Sequence, residues 1–268
     1  MSLIPSQPAE LHYTGDMGVL ARPCVAIVGS RQPTQYGERV TRELATALAS
    51  AGACIVSGMA FGIDATAHRA AMTCGGVTAA VLGAGIDIVY PRAHRRLYEE
   101  IAENGVVVSE FHPGKAGFPG CFPRRNRIIA ALCRLTIVVE AGLKSGSLIT
   151  ATDAAELGRA VAAVPGPIDS EQSRGTNQLL RDGAQVIASI DDALSLANLT
   201  AHGKSTPALA LGGDEATLWD AVACHAAETT DDVVTHTGWP ASRVLAALTQ
   251  LEIQGLLQCS HGGLIARR

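Results

Sequence analysis

Residues 122–152 read FPRRNRIIAALCRLTIVVEAGLKSGSLITAT. A basic segment entered through Phe122-Pro123 opens a helix. An apolar run rich in β-branched residues follows. A second basic loop, bearing glycine and serine, opens another helix. Proline suits the first turn of a helix, and helix, buried strand, loop, helix is the repeating unit of an α/β sheet. Both loops are of a kind that binds phosphate, because exposed N–H groups and small side chains gather at a helix N-terminus. Arg124, Arg125 and Arg127 flank Asn126 where the helix dipole disfavours cations by about 0.3–1 kcal/mol each. They require a partner anion or carboxylates. Glu110 and Glu140 stand at neighbouring strand ends, and the balance favours the anion. In Lys144-Ser145-Gly146-Ser147 either serine can cap the helix, and the lysine adds charge beside its N–H groups.

Working outward, further apolar runs occupy 25–29 (VAIVG), 54–58 (CIVSG), 77–85 (VTAAVLGAG), 106–110 (VVVSE), 135–142 (LTIVVEAG), 160–166 (AVAAVPG) and 185–189 (QVIAS). They are apolar on both faces, as strands of a covered parallel sheet are. Amphipathic stretches lie between them; in Tyr36–Ala51, Val40, Leu44, Ala47, Leu48 and Ala51 share one side. The alternation predicts an α/β fold with an open, doubly wound, mostly parallel sheet, whose ligand lies beyond the carboxyl ends of the strands. Those ends carry Gly29-Ser30-Arg31, Ser57-Gly58-Met59, Gly83-Ala84-Gly85, Ser109-Glu110 and Glu140-Ala141-Gly142. Serine can donate to a phosphate oxygen and arginine can bind it through two donors. Asp64 reads as an N-cap or first-turn acid. Residue 88 is isoleucine where a dinucleotide fingerprint needs glycine, and the GxxxxGK[ST] phosphate loop is absent. Phe118 and Phe122, in FHPGKAGFPGCFP, can stack a splayed base or pack in the core.

Composition narrows the classes. The chain has 268 residues and a net charge of −4, yet residues 111–150 sum to +5 and the rest to −9. A local positive field on an acidic body favours a specific anionic ligand. The seven cysteines form no CxxC pair and read as reduced core thiols of a cytoplasmic protein. The histidines show no ligand spacing and read as surface or capping residues, so no metal and no cofactor are expected. No nucleophile constellation stands out. The N-terminus lacks a signal-peptide pattern and no apolar run is long enough for a membrane span.

A boundary follows residue 197. Residues 1–197 form the α/β domain, 198–213 (NLTAHGKSTPALALGG) a linker, and 214–268 a small domain. In the last, Glu215–Ala226 and Ala241–Gln254 are helix candidates, Thr230 or Asp231 caps a helix between them, and a hairpin turns at Gly262-Gly263. Three helices and a hairpin match a winged helix. From 213 to 268 seven acids face three basic residues, and the candidate recognition helix offers only Arg243. Duplex reading needs phosphate neutralisation and base-edge donors. The module is therefore expected not to read duplex sequence.

GSR (29–31), SGMAFGID (57–64), GAGIDIVYP (83–91), SEFHPG (109–114), FPRRNRIIAAL (122–132), VEAGLKSGSLITA (139–151), VPGPI (164–168) and NQLLRDGA (177–184) together resemble the DNA-processing protein A (DprA/Smf) family. The resemblance runs from about residue 10 to 195, and the winged-helix pattern resembles that family too. It implies an extended Rossmann-like fold that binds single-stranded DNA, protects incoming strands in natural transformation and loads a RecA-type recombinase. It also implies a homodimer, single-strand-binding protein as a further partner, no membrane association and no catalytic activity. The family's DNA contacts carry over onto Ser30, Arg31, Arg125, Arg127, Lys144, Ser145 and Ser147. The full candidate set is Gly29, Ser30, Arg31, Ser57, Gly58, Met59, Phe122, Arg124, Arg125, Asn126, Arg127, Lys144, Ser145, Gly146 and Ser147. The departures are the short stretch before Val25, too short for the small helical domain with which many members begin, Ala130, Ala131 and Cys133 after the arginines, and His94 where asparagine is common.

Two rivals remain. A nucleotide phosphoribohydrolase-like enzyme would need PGGxGTxxE, but the matching region reads EAGLKSGSLIT. A transcription factor with a ligand-sensing α/β domain is disfavoured by the acidic winged helix.

Overall fold

The computed structural model describes Pro8 and residues 10–200, 213–224, 229–253, 257–259 and 265–267. The chain divides into two compact units, Met1–Gly203 and Lys204–Arg268.

In the first unit the elements are β1 (His12–Gly15), β2 (Cys24–Val28), α1 (Gln35–Ser50), β3 (Cys54–Ser57), α2 (Ile63–Thr73), β4 (Val77–Leu82), α3 (Arg95–Asn104), β5 (Val106–Ser109), α4 (Cys121–Leu132), β6 (Leu135–Val138), α5 (Ser147–Glu156), β7 (Ala160–Ala163), α6 (Arg174–Arg181), β8 (Gln185–Val186) and α7 (Ile190–Leu196). The sheet order is β1-β5-β4-β3-β2-β6-β7-β8. All pairings are parallel except β1 on β5, where His12 lies opposite Ser109. The doubly wound, mostly parallel sheet expected from the sequence is the one observed. Strand β1 was not among the expected strands; HYTG is too short and too exposed to show an apolar run. The expected runs at 77–85 and 135–142 also overshoot, because their glycines and Glu140 belong to the loops beyond Leu82 and Val138.

Side-chain alternation builds a core on each face of the sheet. Val25 and Ile27 of β2 pack with Leu44 and Leu48 of α1. Their neighbours Ala26 and Val28 pack on the other face with Ile128 and Ile129 of α4. Beneath α3, Ala80 and Leu82 meet Leu97 and Ile101. Cys24, Cys54, Cys121 and Cys133 are buried free thiols, and burial pushes the Cys133 thiol well up.

Two histidines depart from the surface role expected of them. His68 and His94 are both buried. The Thr78 hydroxyl donates to Ile55 O at 2.6 Å, so its contact with His68 Nδ1 at 2.6 Å makes Nδ1 the donor. Burial, with Arg125, His94 and Arg69 adding repulsion, depresses His68 from 6.5 to about 3. The fold therefore holds it neutral while the unfolded chain takes up a proton below about pH 6.5. Stability should fall as pH drops from 6.5 towards 3. Urea midpoints measured across that window should fall less steeply in His68→Gln, which keeps a donor for Thr78 without titrating. Equal slopes in the two proteins would remove His68 from the account.

The second unit contains α8 (Asp214–Cys224), α9 (Thr230–Thr237), α10 (Ala241–Ile253) and the antiparallel pair β9 (Leu257–Cys259) and β10 (Ile265–Arg267). Leu218, Val222, Val233, Val244, Leu248 and Leu251 make its core. Helix α9 is capped by Thr229 in a capping box with Asp232, one residue before the expected cap. Gly262-Gly263, the expected turn, lies outside the described residues.

Candidate functional site

The topology dictates where a ligand can sit. After β2 the chain builds β3, β4 and β5 to one side. It then returns through α4 to β6 on the other side of β2. The loops following β2 and β6 consequently leave towards opposite faces, to α1 and α5. A cleft opens at such a switch point. A crevice of about 970 Å³ lies there, lined by residues 28–32, 142–147 and the start of α4.

One wall is Gly29-Ser30-Arg31. Ser30 N donates to Glu140 O at 2.7 Å, and Ile63 N donates to Ser30 O at 3.1 Å. These bonds fix the loop between its neighbours. A Cβ on Gly29 would stand 2.8 Å from Glu140 O and from Ile63 Cγ1, so the position takes only glycine. The buried Glu140 carboxylate accepts from Thr34 N at 2.8 Å and Thr34 Oγ1 at 2.5 Å. It anchors the residue that caps α1 and is not a partner of the arginines.

The opposite wall is 142–147. Gly146, and neither serine, is the N-cap of α5, and no side chain caps it. Ser145 Oγ and Ser147 Oγ lie 2.7 Å apart, and Ser147 N reaches Ser145 Oγ only at 3.4 Å. The helix start thus presents a weakly bonded amide and two hydroxyls beside the exposed Lys144. Asn126 joins this wall to α4, with its Nδ2 donating to Gly146 O at 3.1 Å.

Arg125, 5 % exposed, lies between the walls. Its guanidinium is already engaged. Nη1 donates to Gly58 O at 2.6 Å and also to Val81 O, and Nε donates to Asn126 Oδ1 at 3.1 Å. The buried Asp64 carboxylate accepts from Gly58 N at 3.1 Å and Ala60 N at 3.3 Å. Burial pushes the Asp64 carboxyl up, and Arg125 opposes that. Burial lowers Arg125 to about 10, leaving it charged at neutral pH, with Asp64 opposing the shift. A Cβ on Gly58 would overlap the guanidinium, which is why the segment reads Ser-Gly-Met.

The aromatic wall comes from Phe122. The Arg31 guanidinium lies over its ring at 5.5 Å, and Tyr90 packs beside it at 5.3 Å. Phe118 is half exposed and carries Lys115 Nζ over its ring at 5.4 Å.

Several candidate positions lie off the crevice. Ser57 and Met59 are fully buried. Ser57 Oγ donates to Ile27 O at 2.7 Å, and Met59 packs under α3 with Leu97 and Ile101. With Gly58 they form a support beneath the site. Arg124 and Arg127 are held by Glu110: Arg124 makes two bonds at 3.0 and 3.2 Å, and Arg127 Nη2 meets Oε1. For these two the carboxylate, and not an anionic ligand, answers the unfavourable dipole. Arg134 precedes β6 and so stands at the opposite end of the sheet. The strongly basic window therefore disperses on folding. The crevice draws cations from elsewhere as well: Arg31, and Arg174, which the sequence reading passed over. Arg174 opens α6 and lies 3.8 Å from Glu171. It carries the same signal that drew attention to 124–127, a cation in an unfavourable first turn.

In the second unit the single cation of α10 is committed too. Arg243 donates to both Asp214 oxygens, at 2.7 and 2.6 Å, and stacks on Trp239 at 4.3 Å.

Comparison with known proteins gives a consistent match. The family described as DNA recombination-mediator protein A matches residues 1–198, and the DprA winged helix domain matches residues 202–263. A putative DNA processing protein DprA of Mycobacterium tuberculosis is 41 % identical over 249 residues, covering 91 % of this chain and 64 % of its own length. Protein Smf of Escherichia coli is 37 % identical, covering 97 % of this chain and 72 % of its own. The crystal structure of DprA from Streptococcus pneumoniae superposes with a TM-score of 0.70 at 44 % identity, over 72 % of this chain and 68 % of that one. A DNA processing protein A from Helicobacter pylori, whose structure addresses its single-stranded DNA binding mode, gives 0.68 at 35 % identity, over 74 % and 92 %.

Proposed function

The chain belongs to the DNA recombination-mediator protein A family (DprA/Smf), and from that premise we propose that its crevice holds single-stranded DNA without regard to sequence. The observation that carries this reading is the switch-point crevice itself. It combines three exposed cations, Arg31, Lys144 and Arg174, the start of α5 without a side-chain cap and an aromatic wall at Phe122. Cations and amides hold phosphates, while an aromatic face accepts any base. Phosphate and stacking contacts carry no base information, so tolerance of sequence fits this arrangement. The single-strand binding in the Helicobacter pylori relative supports the same polymer as ligand. No described helix is long and apolar enough to cross a membrane.

The finer role extends the same reading. A protein that grips the backbone and does no chemistry on it is suited to protect incoming single strands and to hand them to a RecA-type recombinase in natural transformation. It would act in the cytoplasm as a homodimer, with single-strand-binding protein as a further partner. The rival, a nucleotide phosphoribohydrolase, needs the glycine run and closing glutamate of PGGxGTxxE, both absent from residues 140–150; the one acid there, Glu140, is spent on Thr34. Free base released from nucleoside monophosphates would support the rival.

A mobility-shift comparison of single- and double-stranded oligonucleotides over a salt series tests the main reading. Single strands should bind more tightly at every salt concentration, with log affinity falling linearly in log salt. A preference for duplex would overturn it. The acidic winged helix predicts a second result. Removing residues 204–268 should leave single-strand affinity within about threefold, since a net acidic unit does not attract phosphates. A larger loss would place DNA contacts in the second unit.

A further inference from the structure

Outside the crevice, one side-chain cluster stands unexplained by anything above. Glu10 lies two residues before His12, which opens β1, and His112 follows β5. Antiparallel pairing sets His12 opposite Ser109, so the chain leaving β5 carries His112 back beside His12. The imidazole rings lie 5.3 Å apart, inclined at 58°. One ligand-type atom from each of Glu10, His12 and His112 falls within 4.8 Å of the others. His12 Nε2 is buried and has no hydrogen-bond partner; its near neighbour is Glu10 Oε2 at 4.0 Å. A buried ring nitrogen without a partner costs about 1–3 kcal/mol unless something binds it.

We propose that Glu10, His12 and His112 form a binding site for a first-row divalent cation of the zinc type, tying edge strand β1 to the segment that follows β5. Two imidazoles and a carboxylate are the donor set that borderline cations prefer, with water completing the shell. Tetrahedral bonds of about 2.0–2.1 Å require donors about 3.3 Å apart. Glu10 and His112 are exposed, so side-chain rotation alone closes the remaining gap towards the fixed His12. Hard cations such as Mg2+ are excluded by the nitrogen donors. Sequence spacing could not reveal the site, because Glu10 and His12 meet His112 only through strand pairing. The cation would also brace Glu110, two residues before His112, whose carboxylate holds Arg124 and Arg127.

The test titrates the full 268-residue chain, stripped by chelator, with Zn2+ by calorimetry and with Co2+ by visible absorption. One equivalent should bind, and the Co2+ bands should report nitrogen and oxygen ligands without thiolate charge transfer. Losing even an outer partner of a ligand costs about 10–100-fold in affinity, and losing a ligand costs at least that. His112→Ala and Glu10→Gln, both at exposed positions, should each weaken binding at least tenfold and abolish the Zn2+-dependent rise in melting temperature. Their melting temperatures without metal should match the unsubstituted chain. Absence of a stoichiometric site, or Zn2+ affinity unchanged in His112→Ala, overturns the proposal. So would a thiolate band, which would place the metal on the cysteines.

Discussion

Arg125→Ala is expected to lower the stability of the first unit by about 2–6 kcal/mol, because it orphans two buried carbonyl oxygens at about 1–3 kcal/mol each. Arg125, a candidate phosphate ligand in the sequence, is thereby proposed to carry a structural role as well. Three facts support that role. The side chain is almost wholly buried. Three of its five N–H donors, on Nη1 and Nε, are used on Gly58 O, Val81 O and Asn126 Oδ1. The Asp64 carboxylate nearby is buried as well. Removing the guanidinium leaves two carbonyls without their donor and takes a positive charge away from the neighbourhood of the Asp64 carboxyl. Domains are stable by only about 5–15 kcal/mol, so the variant approaches unfolding at growth temperature. Urea denaturation followed by circular dichroism measures the loss. Adding Asp64→Asn to Arg125→Met, which fills much of the space, should recover part of it. An amide oxygen can still accept from Gly58 N and Ala60 N without requiring a counter-charge. The coupling in that cycle separates charge from packing. Gly58→Ala should resemble a weaker Arg125 loss, because its Cβ displaces the guanidinium. A wild-type urea midpoint for Arg125→Ala, with single-strand binding abolished, would reverse the assignment and make Arg125 a direct ligand.

The same residue shows where a sequence can be read and where it stops. The parallel sheet was legible because a strand covered on both faces is apolar at nearly every position: β2 is so throughout and β6 at all but Thr136. That a ligand would lie beyond the carboxyl ends of the strands was legible too, but which loops flank the switch point was not, because strand order appears only in the folded sheet. Charge assignment was not. Arg124, Arg125, Asn126 and Arg127 are consecutive, yet successive residues of a helix point about 100° apart. One arginine enters the interior, and two turn to Glu110. Periodicity contains that rotation, but choosing among the facing partners requires the tertiary neighbours. Arg174 was missed for the complementary reason: it reaches the crevice from α6, far along the chain, and no local run of charge announces it. The caps show the limit at finer scale. Ser145 and Ser147 had the right chemistry for α5, but their hydroxyls face one another.

With Arg125 bound into the scaffold, Arg124 and Arg127 held by Glu110 and Arg174 beside Glu171, the proposed phosphate binding rests chiefly on Arg31 and Lys144. Each is exposed at the crevice and without a carboxylate partner among the described residues. A hydrogen bond to a charged group contributes about 1.5–3 kcal/mol, so Arg31→Ala and Lys144→Ala should each weaken single-strand binding roughly 10- to 100-fold at low salt. Each lost phosphate contact should reduce the slope of log affinity against log salt by about 0.7, and the double variant by about 1.4. The loss should be the same on oligonucleotides of unrelated sequence, because phosphate contacts carry no base information. Arg124→Ala is the discriminating control. It removes the same charge a short distance away, but its pair with Glu110 is largely exposed on the arginine side. Such pairs contribute about 0–1 kcal/mol, so affinity and slope should barely move. Arg31→Lys separates two functions of one side chain. It preserves the charge, and so the slope, while giving up the planar stack on Phe122. If Arg124→Ala flattened the salt dependence as much as Lys144→Ala, the general basic character of the surface would be binding DNA, and the crevice would lose its claim.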